Sequence, residues 1–147
     1  MFHWLQRLLS RGGPAGGPAA ERGAEGERIA AEFLRGRLGY EIVVRNWRNP
    51  LERREEIDIV CRDHDVLVFV EVKTRPAEAL VPGFFAVDLR KKRALRRAIH
   101  AYLTQLQFRS RTFRFDVAEV ILAGNTPPQV LHFQNVQLFP KGYHVLR

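Results

Sequence analysis

Two short segments carry the residues best suited to chemistry: Glu56-Ile57-Asp58-Ile59-Val60 and Val68-Phe69-Val70-Glu71-Val72-Lys73. Both are rich in β-branched and apolar residues and read as extended strands, in which alternate residues share a face. Glu71 and Lys73 are two apart and so point the same way. The connection Arg62-Asp63-His64-Asp65 is short and turn-like, which makes the pair a hairpin. Pairing at a constant residue sum of about 127–129 then sets Asp58 opposite the 69–71 region. Two carboxylates and one ammonium come to share a face at the ends of otherwise apolar strands.

Such an arrangement costs free energy, because the carboxylates repel and lose hydration. A divalent cation removes both penalties. Two carboxylates, a backbone carbonyl and waters suit the octahedral oxygen shell of Mg2+, or of Mn2+. A cation held there can acidify a bound water and stabilise charge on a phosphoryl oxygen. Lys73 can orient that water and offset the developing charge. These are the requirements of phosphodiester hydrolysis. The alternative is a solvent-facing Glu71–Lys73 pair on an edge strand, with Asp58 a solvated neighbour.

The elements that position these residues follow from the pattern along 147 residues, a length that favours one domain. Apolar residues at helical spacing (Ile29/Ala30, Phe33/Leu34, Leu38) predict a helix over 21–38, stopped by Gly39. Strands are predicted over 41–47, 56–61 and 66–73, with a polar turn at 48–55, so that 41–73 forms an antiparallel meander. A looser stretch follows at 75–87, with Pro76, Pro82 and Gly83. Next come a helix over 89–108, a strand over 113–122, a turn at 124–128 and a strand over 130–138. The order αβββαββ predicts an α/β fold, one mixed sheet flanked by helices. Residues 11–20 have flexible-linker composition and separate a short tail, 1–10, from a single domain over 21–147. The tail reads as a disordered end, with a small amphipathic anchor as the alternative.

Lys plus Arg number 24 and Asp plus Glu 16, a formal net charge of 24 − 16 = +8, with a pI of about 10.5. An anionic partner is implied, either nucleic acid or an anionic membrane surface. Within 90–97, six of eight positions are basic: Arg90, Lys91, Lys92, Arg93, Arg96 and Arg97. Their repulsion, and their opposition to the helix dipole, argue for phosphate binding over a merely solvated face. Arg45 and Arg75 flank the site and can contact phosphates; Arg48, Arg53 and Arg54 can form a DNA-facing loop.

A single cysteine, Cys61, excludes an intramolecular disulfide framework and multi-cysteine metal sites. It fits a reducing, cytoplasmic setting and reads as a small core residue. The apolar runs are too short to cross a bilayer, and the N-terminus lacks a signal-peptide core. The five histidines show no ligand spacing. Asp116 has a nearby arginine to pair with and no catalytic role.

The carboxylate followed by Glu71-Val72-Lys73 resembles the metal-binding motif of the restriction-endonuclease-like (PD-D/E-x-K) nuclease superfamily. More narrowly, the chain resembles the YraN family of small bacterial proteins. These are regarded as predicted endonucleases, distantly related to archaeal Holliday-junction resolvases. The matching residues are Gly26-Glu27 with Ala30 and Phe33-Leu34, Gly39-Tyr40, Arg45-Asn46, Glu56-Ile57-Asp58, and Val68 through Arg75. Ala86-Val87, Lys91-Lys92, Tyr102-Leu103 and Arg114-Phe115-Asp116-Val117 complete the match, over about 22–138.

By that resemblance Asp58 and Glu71 are metal ligands, Lys73 the catalytic lysine, and Glu27 a further acid that reaches the metal or its water. Glu27 borders the apolar face of its helix, as that role requires; a first-turn glutamate favoured by the helix dipole is the alternative. The family usually carries Gly-Glu-Ile-Asp where this chain has Glu55-Glu56-Ile57-Asp58, and the preceding turn is longer here. The expectation is a metal-dependent endonuclease acting on DNA phosphodiesters, with branched or damaged structures among its substrates. No small-molecule cofactor or membrane insertion is expected, and a homodimer is compatible. The alternative is a non-catalytic nucleic-acid-binding module of the same fold, which the Glu55 substitution favours.

Overall fold

A computed structural model describes residues 17–78, 89–106 and 112–143. The expectations for the tail, and for most of the loose stretch at 75–87, lie outside them.

Helix α1 spans Pro18–Gly36. It starts earlier than its apolar stripe because proline is well placed in a first turn, where its missing N–H has no helical partner. Residues 18–20, expected as linker, are therefore helical. Arg37 closes the helix by donating its N–H to the Phe33 carbonyl, and Gly39 takes φ +72° to turn the chain into the sheet. Strands β1 (Glu41–Arg48), β2 (Glu56–Asp63) and β3 (Val66–Pro76) follow as the expected meander. Helix α2 (Leu89–Gln105) crosses over to β4 (Phe113–Ala123), which pairs in parallel with β3. Strand β5 (Thr126–Phe133) returns antiparallel to β4.

The result is one five-stranded mixed sheet, β1-β2-β3-β4-β5, in the order αβββαββ. Strand β5 begins earlier than expected, since Thr126-Pro127-Pro128 was assigned to the turn. An edge strand tolerates proline on its open side, and the pairing with β4 skips from Thr126 to Gln129, so neither Pro127 nor Pro128 is required to donate.

The two helices cover opposite faces of the sheet. Leu95, Ala98, Ile99, Tyr102 and Leu103 of α2 pack against Val60, Leu67, Phe69, Phe115 and Val117. Ala30, Ala31 and Leu34 of α1 pack against Ile59, Val68, Val70, Ala118 and Val120. Strand β3 is therefore buried on both sides, and polar groups on it must find partners inside the protein. Cys61 is fully buried on the α1 side, and burial pushes its thiol up to about 12, so it is an inert core residue.

Candidate active site

The hairpin register sets the first part of the site. Ile59 pairs with Val70 and Val60 with Phe69, a constant sum of 129. The ladder stops at Ile59. Beyond it Asp58 would lie across from Glu71, and two facing carboxylates oppose close pairing. Instead the Asp58 carboxylate reaches over and accepts the Val72 N–H at 2.8 Å. The strands part here, and the backbone donor that lost its partner is satisfied by a side chain.

Glu71 and Lys73 lie on the α2 face of β3, as their spacing requires. Glu71 is only 2% exposed. Its Oε1 is 3.1 Å from Lys73 Nζ and 3.3 Å from Lys91 Nζ. Its Oε2 is buried and accepts no hydrogen bond from the described residues. A buried carboxylate oxygen without a donor is costly, and it marks a place where a cation fits.

Glu27 approaches from α1 on the other side. Helix and sheet come unusually close here: a Cβ on Gly26 would sit 1.8 Å from Thr74 Oγ1 and 2.9 Å from Thr74 Cβ. Only glycine allows this contact, which brings the next residue, Glu27, within the field of the site acids. Burial first, and then the neighbouring Glu56 carboxylate, push the Glu27 carboxyl above its ordinary range, against the pull of Arg45 and an Asn46 hydrogen bond. Burial, and then Glu71, push Asp58 well above its ordinary value despite the Val72 hydrogen bond. Three acids thus act on one another at the parting of β2 and β3. Among the described residues, no group of three or more His, Cys, Asp or Glu side chains is already gathered to hold a metal ion.

The basic residues divide into four sets. Lys91 sits in the site on Glu71, while Arg90 and Arg93 are exposed and Lys92 and Arg96 half-buried along α2. Arg97 and Arg75 are engaged structurally. Arg97 Nε donates to Glu55 at 2.7 Å, and Arg75 pairs with the fully buried Glu119 of β4. Arg45 lies across from Ile59, on the α1 face near Glu27; its Nε is buried without an acceptor, and burial lowers its pKa.

Glu55, just before β2, is buried and has two partners of its own. Its carboxylate accepts from Asn49 Nδ2 at 2.8 Å and from Arg97, tying the β1–β2 turn to α2. Beside that tie, a cavity of about 590 Å3 is lined by Glu52, Arg54, Glu55, Arg90, Lys91, Ala94 and Arg97.

Sequence reasoning missed two features. In the sequence Lys91 is one of six cations on a helix face, although a lysine in the first turn of α2 can reach the end of β3. Glu119 was not singled out. Its signal was an acid inside an otherwise apolar strand, Val117-Ala118-Glu119-Val120.

The sequence profile of the uncharacterised protein family UPF0102 matches residues 26–120. A UPF0102 protein of Paenarthrobacter aurescens is 42% identical over 114 residues, 78% of this chain and 91% of its own. One from Mycolicibacterium vanbaalenii is 37% identical over 117 residues, 80% of this chain and 93% of its own. One from Chlorobium limicola is 40% identical over 106 residues, 67% and 74% of the respective chains. The profile match takes in Gly26, Glu27, Asp58, Glu71, Lys73, Lys91 and Glu119 together.

Proposed function

The chain belongs to UPF0102, the YraN family, and on that premise we propose that it is a metal-dependent endonuclease that hydrolyses DNA phosphodiester bonds. The observation that carries this reading is the Glu71 carboxylate. One of its oxygens is held by two lysines and the other is buried without a donor among the described residues, beside an Asp58 whose charge is disfavoured. A sheet has no structural need for that arrangement. The donors are all carboxylate oxygens, which suits Mg2+ or Mn2+ rather than a softer metal.

Asp58 and Glu71 would hold the cation, with Glu27 beside them. A cation there would acidify a bound water and offset charge on a phosphoryl oxygen. Lys73, three-quarters buried, presents its ammonium where the attacking water and the developing phosphorane charge would lie. Asp58 is kept in place by the Val72 N–H, so its second oxygen points to a fixed spot. The exposed arginines of α2 would hold the phosphates of the bound strand.

The test is cleavage of supercoiled plasmid, single strands, flaps and four-way junctions with Mg2+, Mn2+ or EDTA. Wild type is run beside Asp58→Ala and Lys73→Ala. Cutting that needs the metal and falls at least about a thousandfold in both variants is expected. The second reading is a non-catalytic binding module; the lack of three ready-gathered ligands among the described residues favours it. Salt-sensitive binding of the same DNAs, with no cutting under any metal, would establish that reading instead.

A further inference from the structure

Lys91 has two neighbourhoods at once. On one side its Nζ is 3.3 Å from Glu71 Oε1, an atom that Lys73 already neutralises from 3.1 Å. On the other side it lines the cavity shared with Arg54, Arg90, Arg97, Glu52 and Glu55. The two lysines on Glu71 are not equivalent. Lys73 lies two residues along the same strand and its backbone is fixed in the sheet. Lys91 comes from the first turn of α2, where a cation opposes the helix dipole. What holds it there is the surplus negative charge of the site, to which Glu71, Asp58 and Glu56 all contribute.

We propose that Lys91 is an exchangeable counter-ion. It neutralises Glu71 while the site holds no metal. When a divalent cation enters, it turns into the adjoining cavity and binds a backbone phosphate of the nucleic acid. This deepens the nuclease reading and rests on it. An ammonium and a divalent cation repel strongly if both approach one carboxylate oxygen. The four-carbon stem of lysine lets the charge swing out without moving the helix. Within the cavity, Arg97 is paired with Glu55 and Arg54 with Glu52, so the displaced ammonium meets a partly balanced wall that a phosphate completes. Metal entry and phosphate binding then favour each other, and by linkage the coupling is reciprocal.

The test measures Mn2+ binding to the full chain by electron paramagnetic resonance. Wild type is compared with Lys91→Gln and Lys91→Met, first without nucleic acid and then with a cleavage-resistant phosphorothioate duplex. Without nucleic acid both variants should bind Mn2+ roughly tenfold more tightly than wild type, because a competing charge is gone. The duplex should tighten Mn2+ binding about fivefold or more in wild type and by less than about twofold in the variants. Lys141→Gln removes an exposed lysine of the C-terminal turn and should behave as wild type, which separates local competition from net charge. Mn2+ affinity in folded Lys91→Gln and Lys91→Met equal to or weaker than in wild type overturns the exchange and leaves the metal site standing. Failure of every variant and of wild type to bind Mn2+ overturns both.

Discussion

Two buried acidic centres lie on opposite faces of the sheet, and they are finished differently. On the α1 face, Asp116 of β4 is fully buried and fully satisfied. It accepts from Arg114 Nε at 3.0 Å, His132 Nε2 at 2.9 Å and the Asn135 N–H at 2.9 Å. Arg114 in turn binds Asp63 and the Tyr40 hydroxyl, each at 2.9 Å. The His132 and Arg114 hydrogen bonds outweigh burial and hold the Asp116 carboxyl below its ordinary range. On the α2 face, Glu71 keeps an oxygen without a donor, and Asp58 is pushed the other way. A carboxylate at similar depth is completed by the chain in one place and, among the described residues, left incomplete in the other. The incomplete centre is the one that calls for something from outside.

The comparison can be broken most severely at Asp116. Asp116→Ala strips Arg114 and His132 of their shared acceptor, and should cost about 3–5 kcal/mol of stability. In a chain of this size that lowers the melting temperature by roughly 10 °C. A fall of only 1–2 °C in calorimetry would mean that the network is not the structural counterpart described. Gly26→Ala comes next. The new Cβ drives α1 away from Thr74, at about 1–3 kcal/mol, and moves Glu27 off the acids. Denaturant melts should show the loss, and Mn2+ affinity should fall with it.

The smallest effect carries the sharpest sign. Asp58→Asn, measured without metal, should stabilise the protein by about 1 kcal/mol near pH 7, through relief of like-charge repulsion. Because the folded pKa of Asp58 is raised, the stability it supports is present below its unfolded value of 3.8 and is lost as pH rises through the folded value. The advantage of the variant should therefore grow as pH climbs above 4. Asp116 has the opposite linkage. Its contribution is present above its unfolded value of 3.8 and disappears as pH falls through the lowered folded value. Chemical denaturation between pH 3 and 8 would show two slopes of opposite sign; parallel slopes would erase the distinction between the centres.

The sequence reveals much of this, and unevenly. The turn at 62–65 and the alternation around it are enough to set Asp58 opposite the 69–71 region, and the observed ladder runs on that register up to Ile59 and Val70. Local pattern also located both helices and four of the five strands. Strand β5 was placed late because prolines mark turns and edge strands alike, and only the pairing with β4 separates the two. The loads on individual arginines were not legible. Arg75 and Arg97 look like phosphate ligands in the sequence, yet their partners, Glu119 and Glu55, lie 44 and 42 residues away. Gly26 and Thr74 meet only through tertiary packing, so the need for glycine could be inferred from the family resemblance but not from the chain's own periodicity.

The prolines of β5 also bear on how copies of the sheet can associate. Strand addition at an edge needs free N–H donors on its open side; successive N–H groups alternate between the two sides, so the adjacent Pro127 and Pro128 remove one donor there. Among the described strands, growth by edge pairing is therefore blunted at β5 and would have to use β1. There the exposed Glu41 and Arg48 place charges along the rim, which discourages uncontrolled stacking. The sheet is thus guarded at one margin by a missing donor and at the other by charge.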